Sequence, residues 1–191
     1  HDLMVGAIAL GCNQVFVLAN PNKIDETHPV GVQIKLAQEL LAGVNANEDG
    51  RLTLINESDP DSIANILYGT NCASKVKPAP FAPVGTPRGI VRLAMRGLGT
   101  ANNTGEDVIA LPKGAPYGRV NIDTENCTIC LSCVSACPAG ALQDNPDAPQ
   151  LLFREDACLQ CGICSTTCPE NVISLVPQFN LSDEAMAAEM V

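Results

Sequence analysis

The chain has 191 residues, room for one large or two small domains, and 46% of them are hydrophobic, although Trp is absent and aromatics make up only 3%. A formal net charge of −10 excludes nucleic acid as a partner, because phosphate binding needs a basic surface. The apolar stretch at residues 3–10 is too short for a membrane span and has no basic flank, so it is no signal peptide and the chain reads as cytoplasmic.

Residues 3–10 predict a helix, weakened by Gly6. Val15, Phe16, Val17, Leu18 and Ala19 form a continuous apolar run, which suits a strand buried on both faces. A helix that enters a strand so directly suggests a fragment of a longer polypeptide. Asn20, Pro21 and Asn22 break the strand. Val30, Ile34, Ala37, Leu41 and Val44 then recur at helical spacing. A turn at 47–50 leads to a second strand at 52–55 and a helix at 60–68, capped by Asp59 with Pro60 in its first position. This order implies parallel strands joined by a right-handed crossover, so residues 1–69 read as part of an open α/β sheet. No glycine-rich phosphate loop follows either strand, and Asp25, Glu26, Glu57, Asp59 and Asp61 would repel a phosphate there. A docking or structural role is therefore preferred to a bound nucleotide or flavin. Cys12 and Cys72 read as small packing residues and His28 as a surface or helix-entry residue.

Residues 70–117 read as a connector. Pro78, Pro80 and Pro83 predict an extended linker over 70–86, and Pro87 opens a helix to about residue 98. Arg88, Arg92 and Arg96 share one face of it. With Lys75 and Lys77 they give +5 to a stretch that has no acidic residue between Asp61 and Glu106. From Gly118 onward there are ten acidic and two basic residues. The arginine row is either a solvated face or a contact with an acidic surface. Residues 99–117 are rich in Gly, Asn and Pro, with a short strand at 108–111.

The remaining eight cysteines fall in two runs. Cys127, Cys130, Cys133 and Cys137 precede Pro138, and Cys158, Cys161, Cys164 and Cys168 precede Pro169, 31 residues later. Each run reads C-x2-C-x2-C-x3-C-P, the spacing with which thiolates hold [4Fe–4S] clusters. Zinc sites pair their ligands across a longer loop, and disulfides would suit a small secreted chain. Strands at 119–123 and 151–154 lead into the two runs, and residues 139–142 and 170–173 correspond after them. Ile122, Ile129, Leu142, Phe153, Ile163 and Ile173 are the expected apolar shell that keeps water from the clusters.

Residues 118–177 resemble the two-[4Fe–4S] bacterial ferredoxin family. The resemblance implies a compact (βαβ)2 domain that passes single electrons, and a crossed ligation in which the fourth cysteine of each run serves the other cluster. One cluster would take Cys127, Cys130, Cys133 and Cys168, and the other Cys158, Cys161, Cys164 and Cys137. One position departs from the family: Gly162 follows the second cysteine of its run, but Leu131 stands at the equivalent place, so a tight glycine turn is not expected there.

A wider stretch is similar to the C-terminal part of larger proteobacterial multi-cluster iron–sulfur proteins. It is carried by Ala110, Leu111, Pro112, Lys113, Gly114, Ala115, Pro116, Tyr117 and Gly118, and by residues 127–147. The α/β region faintly resembles the delta-subunit domain of methyl-viologen-reducing hydrogenase, but without the cysteines for a [2Fe–2S] centre. The wider family's link with formate dehydrogenase systems points to such an oxidoreductase as redox partner. The expected whole is an α+β chain: a partial open α/β parallel sheet at 1–69, the connector at 70–117, a ferredoxin-like (βαβ)2 domain at 118–177 and a tail at 178–191. Its expected role is electron transfer through two [4Fe–4S] clusters, with no catalytic constellation. The alternative is an enzyme whose α/β region binds a flavin or organic substrate fed by the clusters.

Overall fold

Apolar periodicity and cysteine spacing divide the sequence, and the computed structural model, which describes residues 1–190, divides with them. It forms two compact units, His1–Gly105 and Glu106–Val191. Both are mixed α/β with small sheets.

In the first unit, helix α1 (Asp2–Ala9), strand β1 (Val15–Leu18), helix α2 (Ile24–Gly43), strand β2 (Leu52–Ile55), helix α3 (Pro60–Gly69) and helix α4 (Pro87–Ala101) follow in order. Strands β1 and β2 pair in parallel, Val15 opposite Leu52 and Leu18 opposite Ile55. Among the described residues this sheet has only these two strands. A two-stranded sheet is too narrow to be covered like a full parallel sheet. Leu18 is accordingly 60% exposed, and β1 is not buried on both faces as its apolar run predicts.

The core of this unit is helical. Helix α1 packs on α4 and on α2, and Val5, Ile8, Leu40, Leu41, Val91, Met95 and Leu98 are fully buried. Helix α2 begins six residues ahead of Val30, where the apolar spacing starts, and holds Pro29 inside it. Pro29 removes one backbone donor, but burial of Leu36, Ala37 and Leu40 further along anchors the helix. Asp59 caps α3 as expected, and Thr86 caps α4 in the same way. Ser62 N–H donates to Asp59 Oδ2 at 3.0 Å, and Gly89 N–H to Thr86 Oγ1 at 3.1 Å.

The proline-rich stretch is not a free linker. Arg51, buried at 3% exposure, donates to the Ser74 carbonyl at 3.3 Å, to the Asn13 carbonyl at 2.8 Å and to Glu48 at 2.8 Å. Ser74 N–H also donates to Glu48, at 2.9 Å. Further along, Ala79 N–H donates to the Ala9 carbonyl at 2.8 Å. A side chain at Gly97 would come within 2.6 Å of Ala79 Cβ, so the close approach requires glycine. Cys12 and Cys72 are both exposed, in irregular segments flanking β1 and α3, and do not pack in the core. His28 is exposed, as expected, on α2. The arginine row is not uniformly solvated: Arg92 is buried, and Arg88 and Arg96 are half-buried.

The second unit contains β3 (Val108–Ala110), β4 (Gly118–Ile122), α5 (Ser132–Ala136), β5 (Leu142–Asp144), β6 (Leu151–Phe153), α6 (Ile163–Thr167), β7 (Ile173–Asn180) and β8 (Glu189–Met190). Two antiparallel sheets result, ordered β3-β7-β4 and β5-β6-β8. The 31-residue sequence repeat is also a structural one. Ile122 lies opposite Ile173 in the first sheet, and Phe153 opposite Leu142 in the second. The strand entering each cysteine run thus pairs with the strand leaving the other run. Residues 108–117 and 178–190, expected as connector and tail, belong to this framework. Strand β3 flanks β7, Tyr117 meets Phe179 edge-on at 4.9 Å, and Met190 of β8 pairs with Leu152. Val191 lies outside the described residues. None of the described helices is long and apolar enough to cross a membrane.

Candidate metal centre

The two cysteine loops share one backbone design. Ile129 and Leu131 have φ of 53° and 60°, and the equivalent Gln160 and Gly162 have 53° and 78°. Leu131 therefore adopts the left-handed turn that its glycine counterpart adopts, and the tight turn expected to be missing is present. A leucine there costs roughly 1–2 kcal/mol in backbone strain. The loop retains it because Leu131 packs on the apolar core around Leu151 and Ile173. Each loop then enters a five-residue helix, α5 or α6, which buries the third cysteine of the run, Cys133 or Cys164.

The fourth cysteine leaves its own run. One cavity is lined by Cys158, Cys161 and Cys164 together with Cys137. Val120, Leu142, Phe153 and Leu175 form its apolar wall. A second is lined by Cys127, Cys130 and Cys133 together with Cys168, and walled by Leu131, Leu151, Val172 and Ile173. The crossed strand pairing produces this arrangement, since it carries each fourth cysteine toward the opposite loop. Cys133, Cys158 and Cys164 are buried, whereas Cys130 and Cys161 are exposed.

The apolar shell is partly as expected. Leu142, Phe153 and Ile173 are buried and Ile122 is half-buried. Ile129 and Ile163 are 38% and 42% exposed, because both sit at the outer rim of their loops. Val120 and Leu151, strand residues that face inward by alternation, take their place in the core.

The thiols differ in their readiness to ionise. Burial pushes Cys164 up to about 11, and the nearby Cys158, Cys161 and Cys137 thiolates add to the effect. Burial raises Cys133 as well, with Cys127 and Cys130 contributing. At Cys137 burial also opposes ionisation, but backbone N–H groups from Leu142, Ala139, Ala141 and Gly140 outweigh it and lower the pKa. One of them, Ala141 N–H, donates to Cys137 Sγ at 3.2 Å. The Ser132 hydroxyl, 3.4 Å from Cys130 Sγ, and the Ser132 N–H lower Cys130. Thiolates gathered in apolar walls suit a cationic iron–sulfur core, which stabilises the ionised form that burial alone opposes.

Three polar residues were not singled out by the cysteine pattern. Besides Ser132, Gln160 Nε2 donates to Cys158 Sγ at 3.5 Å and to the Arg119 carbonyl at 2.9 Å. Glu155 is buried three residues before Cys158. Aligning the halves at their 31-residue offset would have flagged all three, since Ser132 faces Ile163, Gln160 faces Ile129 and Glu155 faces Thr124.

Crossed strands, paired cysteine loops and two thiol-lined cavities define a two-cluster ferredoxin-like domain, and comparison with known proteins agrees. Residues 126–173 match the family model of the 4Fe-4S dicluster domain. Two [4Fe–4S] clusters are the cofactors of this domain. The chain is 36% identical over 58 residues to the pyruvate synthase subunit PorD of Methanocaldococcus jannaschii. That stretch is 30% of this chain and spans 66% of the relative's length.

Proposed function

We propose that the chain is an electron-transfer iron–sulfur protein or redox subunit, which relays single electrons to or from an oxidoreductase. The observation that carries this reading is the convergence of three cysteines of one run and the fourth of the other on each of two apolar-walled cavities. In this reading one cluster is held by Cys127, Cys130, Cys133 and Cys168, and the other by Cys158, Cys161, Cys164 and Cys137. The clusters, when bound, supply one-electron chemistry. The chain's own residues fix the thiolates, exclude water through Phe153, Leu142, Leu151 and Ile173, and donate hydrogen bonds to sulfur from Ala141 and Gln160.

The first unit serves as a docking or structural body, and its place is within a larger multi-cluster iron–sulfur protein. The relative's name directs the search for the oxidoreductase to pyruvate synthase-type enzymes, not to the formate dehydrogenase expected from the sequence. The test is anaerobic reconstitution followed by iron analysis, EPR, and electron transfer to a purified pyruvate synthase and a purified formate dehydrogenase. About eight irons per chain and reversible one-electron reduction are expected. Clusters that cannot be reduced and reoxidised would eliminate the electron-transfer role.

A further inference from the structure

Because positions 31 residues apart are equivalent, each half of the cluster domain is a control for the other. Asp123 and Arg154 reverse sign between the halves, but both are exposed, and the buried electrostatic difference lies one residue further on, just ahead of the first cysteine of each run. Glu155 stands three residues before Cys158, and Thr124 three residues before Cys127. Thr124 is exposed, whereas Glu155 retains only 7% of its surface. Glu155 lies in a short 3-10 turn that ends on Cys158, whose N–H donates to the Glu155 carbonyl at 3.0 Å.

Both carboxylate oxygens accept hydrogen bonds from amides of β7, Oε1 from Gln178 Nε2 at 2.8 Å and Oε2 from Asn180 Nδ2 at 3.3 Å. Two donors aimed at two oxygens suit the ionised, acceptor-only form. Among the described residues no cation pairs with it; Arg119 on β4 pairs with Glu189 instead, at 3.5 Å. The turn that carries Glu155 ends on Cys158, so a buried negative charge on it would act on the neighbouring cluster through a low local dielectric and oppose the arrival of an electron. The Gln160 amide acts in the other direction, because its N–H on Cys158 Sγ stabilises the added charge, and Ile129 offers no such donor to Cys127.

We propose that Glu155 is a potential-setting residue that makes the two clusters unequal. It lowers the potential of the cluster held by Cys137, Cys158, Cys161 and Cys164 relative to that held by Cys127, Cys130, Cys133 and Cys168. A single electron entering at the first then runs downhill to the second, where it rests until a partner removes it. The proposal rests on the two-cluster electron-transfer reading.

Redox titration followed by EPR on the full chain, loaded with both clusters by iron analysis, tests it. Glu155→Gln should raise one midpoint and move the other less than half as far. Glu155→Asp, which keeps the charge, should leave both near their original values. Gln160→Met should lower the same midpoint that Glu155→Gln raises. If Glu155→Gln does not hold both clusters, Glu155→Met takes its place, and the same midpoint should rise. Midpoints unmoved or moved equally in a loaded variant overturn the proposal. So does a Gln160→Met response in the other cluster, or an unshifted midpoint in loaded Glu155→Met. Failure of the unmodified chain to take up two clusters would overturn the underlying functional reading instead.

Discussion

The two units are held together by different means. Of the ten largest fully buried side chains, eight belong to the first unit and only Phe153 and Val120 to the second. The first unit is an ordinary apolar core between α1, α2 and α4. The core of the second is built partly from its cysteines, with Cys133, Cys158 and Cys164 packed among Val120, Leu142 and Phe153. A unit so short of apolar side chains has little stability of its own, and metal binding becomes folding free energy.

Removal of the clusters is the strongest way to break this comparison. Chelation or air oxidation should open 118–177 to proteolysis while the first unit stays protected. Mapping cleavage sites in apo and holo protein checks it, and equal protection of the cluster domain in both states would show that its apolar core suffices.

Single ligand changes come next. Cys137→Ala should damage the cluster of the second run, and Cys168→Ala that of the first. Iron content and EPR decide. Damage confined to the mutated residue's own run would rule out the crossed assignment.

Leu131→Gly sharpens the comparison within the second unit. Relief of roughly 1–2 kcal/mol of left-handed strain is offset by about 0.5–1 kcal/mol of glycine entropy and by the lost packing of Leu131, about 1.5–3 kcal/mol for a fully buried leucine. Thermal unfolding of the holo protein should shift slightly downward. An upward shift would mean that the strain of Leu131 outweighs its packing.

The smallest effect belongs to the first unit. Hydrogen bonds from the Ser62 hydroxyl and N–H hold Asp59 below its usual value of 3.8. A depressed carboxyl contributes stability above that value and loses it as pH falls through the folded-state pKa. Asp59→Ala should therefore cost a little helicity in α3 at neutral pH and nothing at the acid end. Circular dichroism of both chains across that range tests it, and a difference that persists in acid would assign the loss to something other than the cap.

Much of the cluster site was legible because ligand spacing is local. The positions of Cys127 to Cys137 and Cys158 to Cys168, and the 31-residue repeat, survive in the sequence unaltered. What was not legible depends on partners distant in the chain. Proline spacing cannot reveal that residues 74 and 79 are tied to Arg51 and Ala9, or hydropathy that β1 has a single neighbour. The left-handed turn at Leu131 was missed because residue preference argued against it, while packing in the loop enforced it. Residues 178–190 looked like a tail because β8 is only two residues long and gains meaning from β6.

The crossed pairing of strands also sets a timetable for synthesis. In the crossed assignment proposed above, a half emerging from the ribosome has neither its sheet partner nor the four thiols of either cluster. The cavity lined by Cys137 is finished only when Cys164 appears, and the one lined by Cys127 only at Cys168, four residues later. Strand β4 waits longer, for β7, across the whole of both cysteine loops. Such long-range closure is slow. Nascent chains therefore pass through a window in which several thiols are exposed to oxidant and stray metal before any iron can be held. Chains stalled before Cys164 should retain no cluster when released under iron-replete anaerobic conditions, and chains stalled just beyond β7 should retain both.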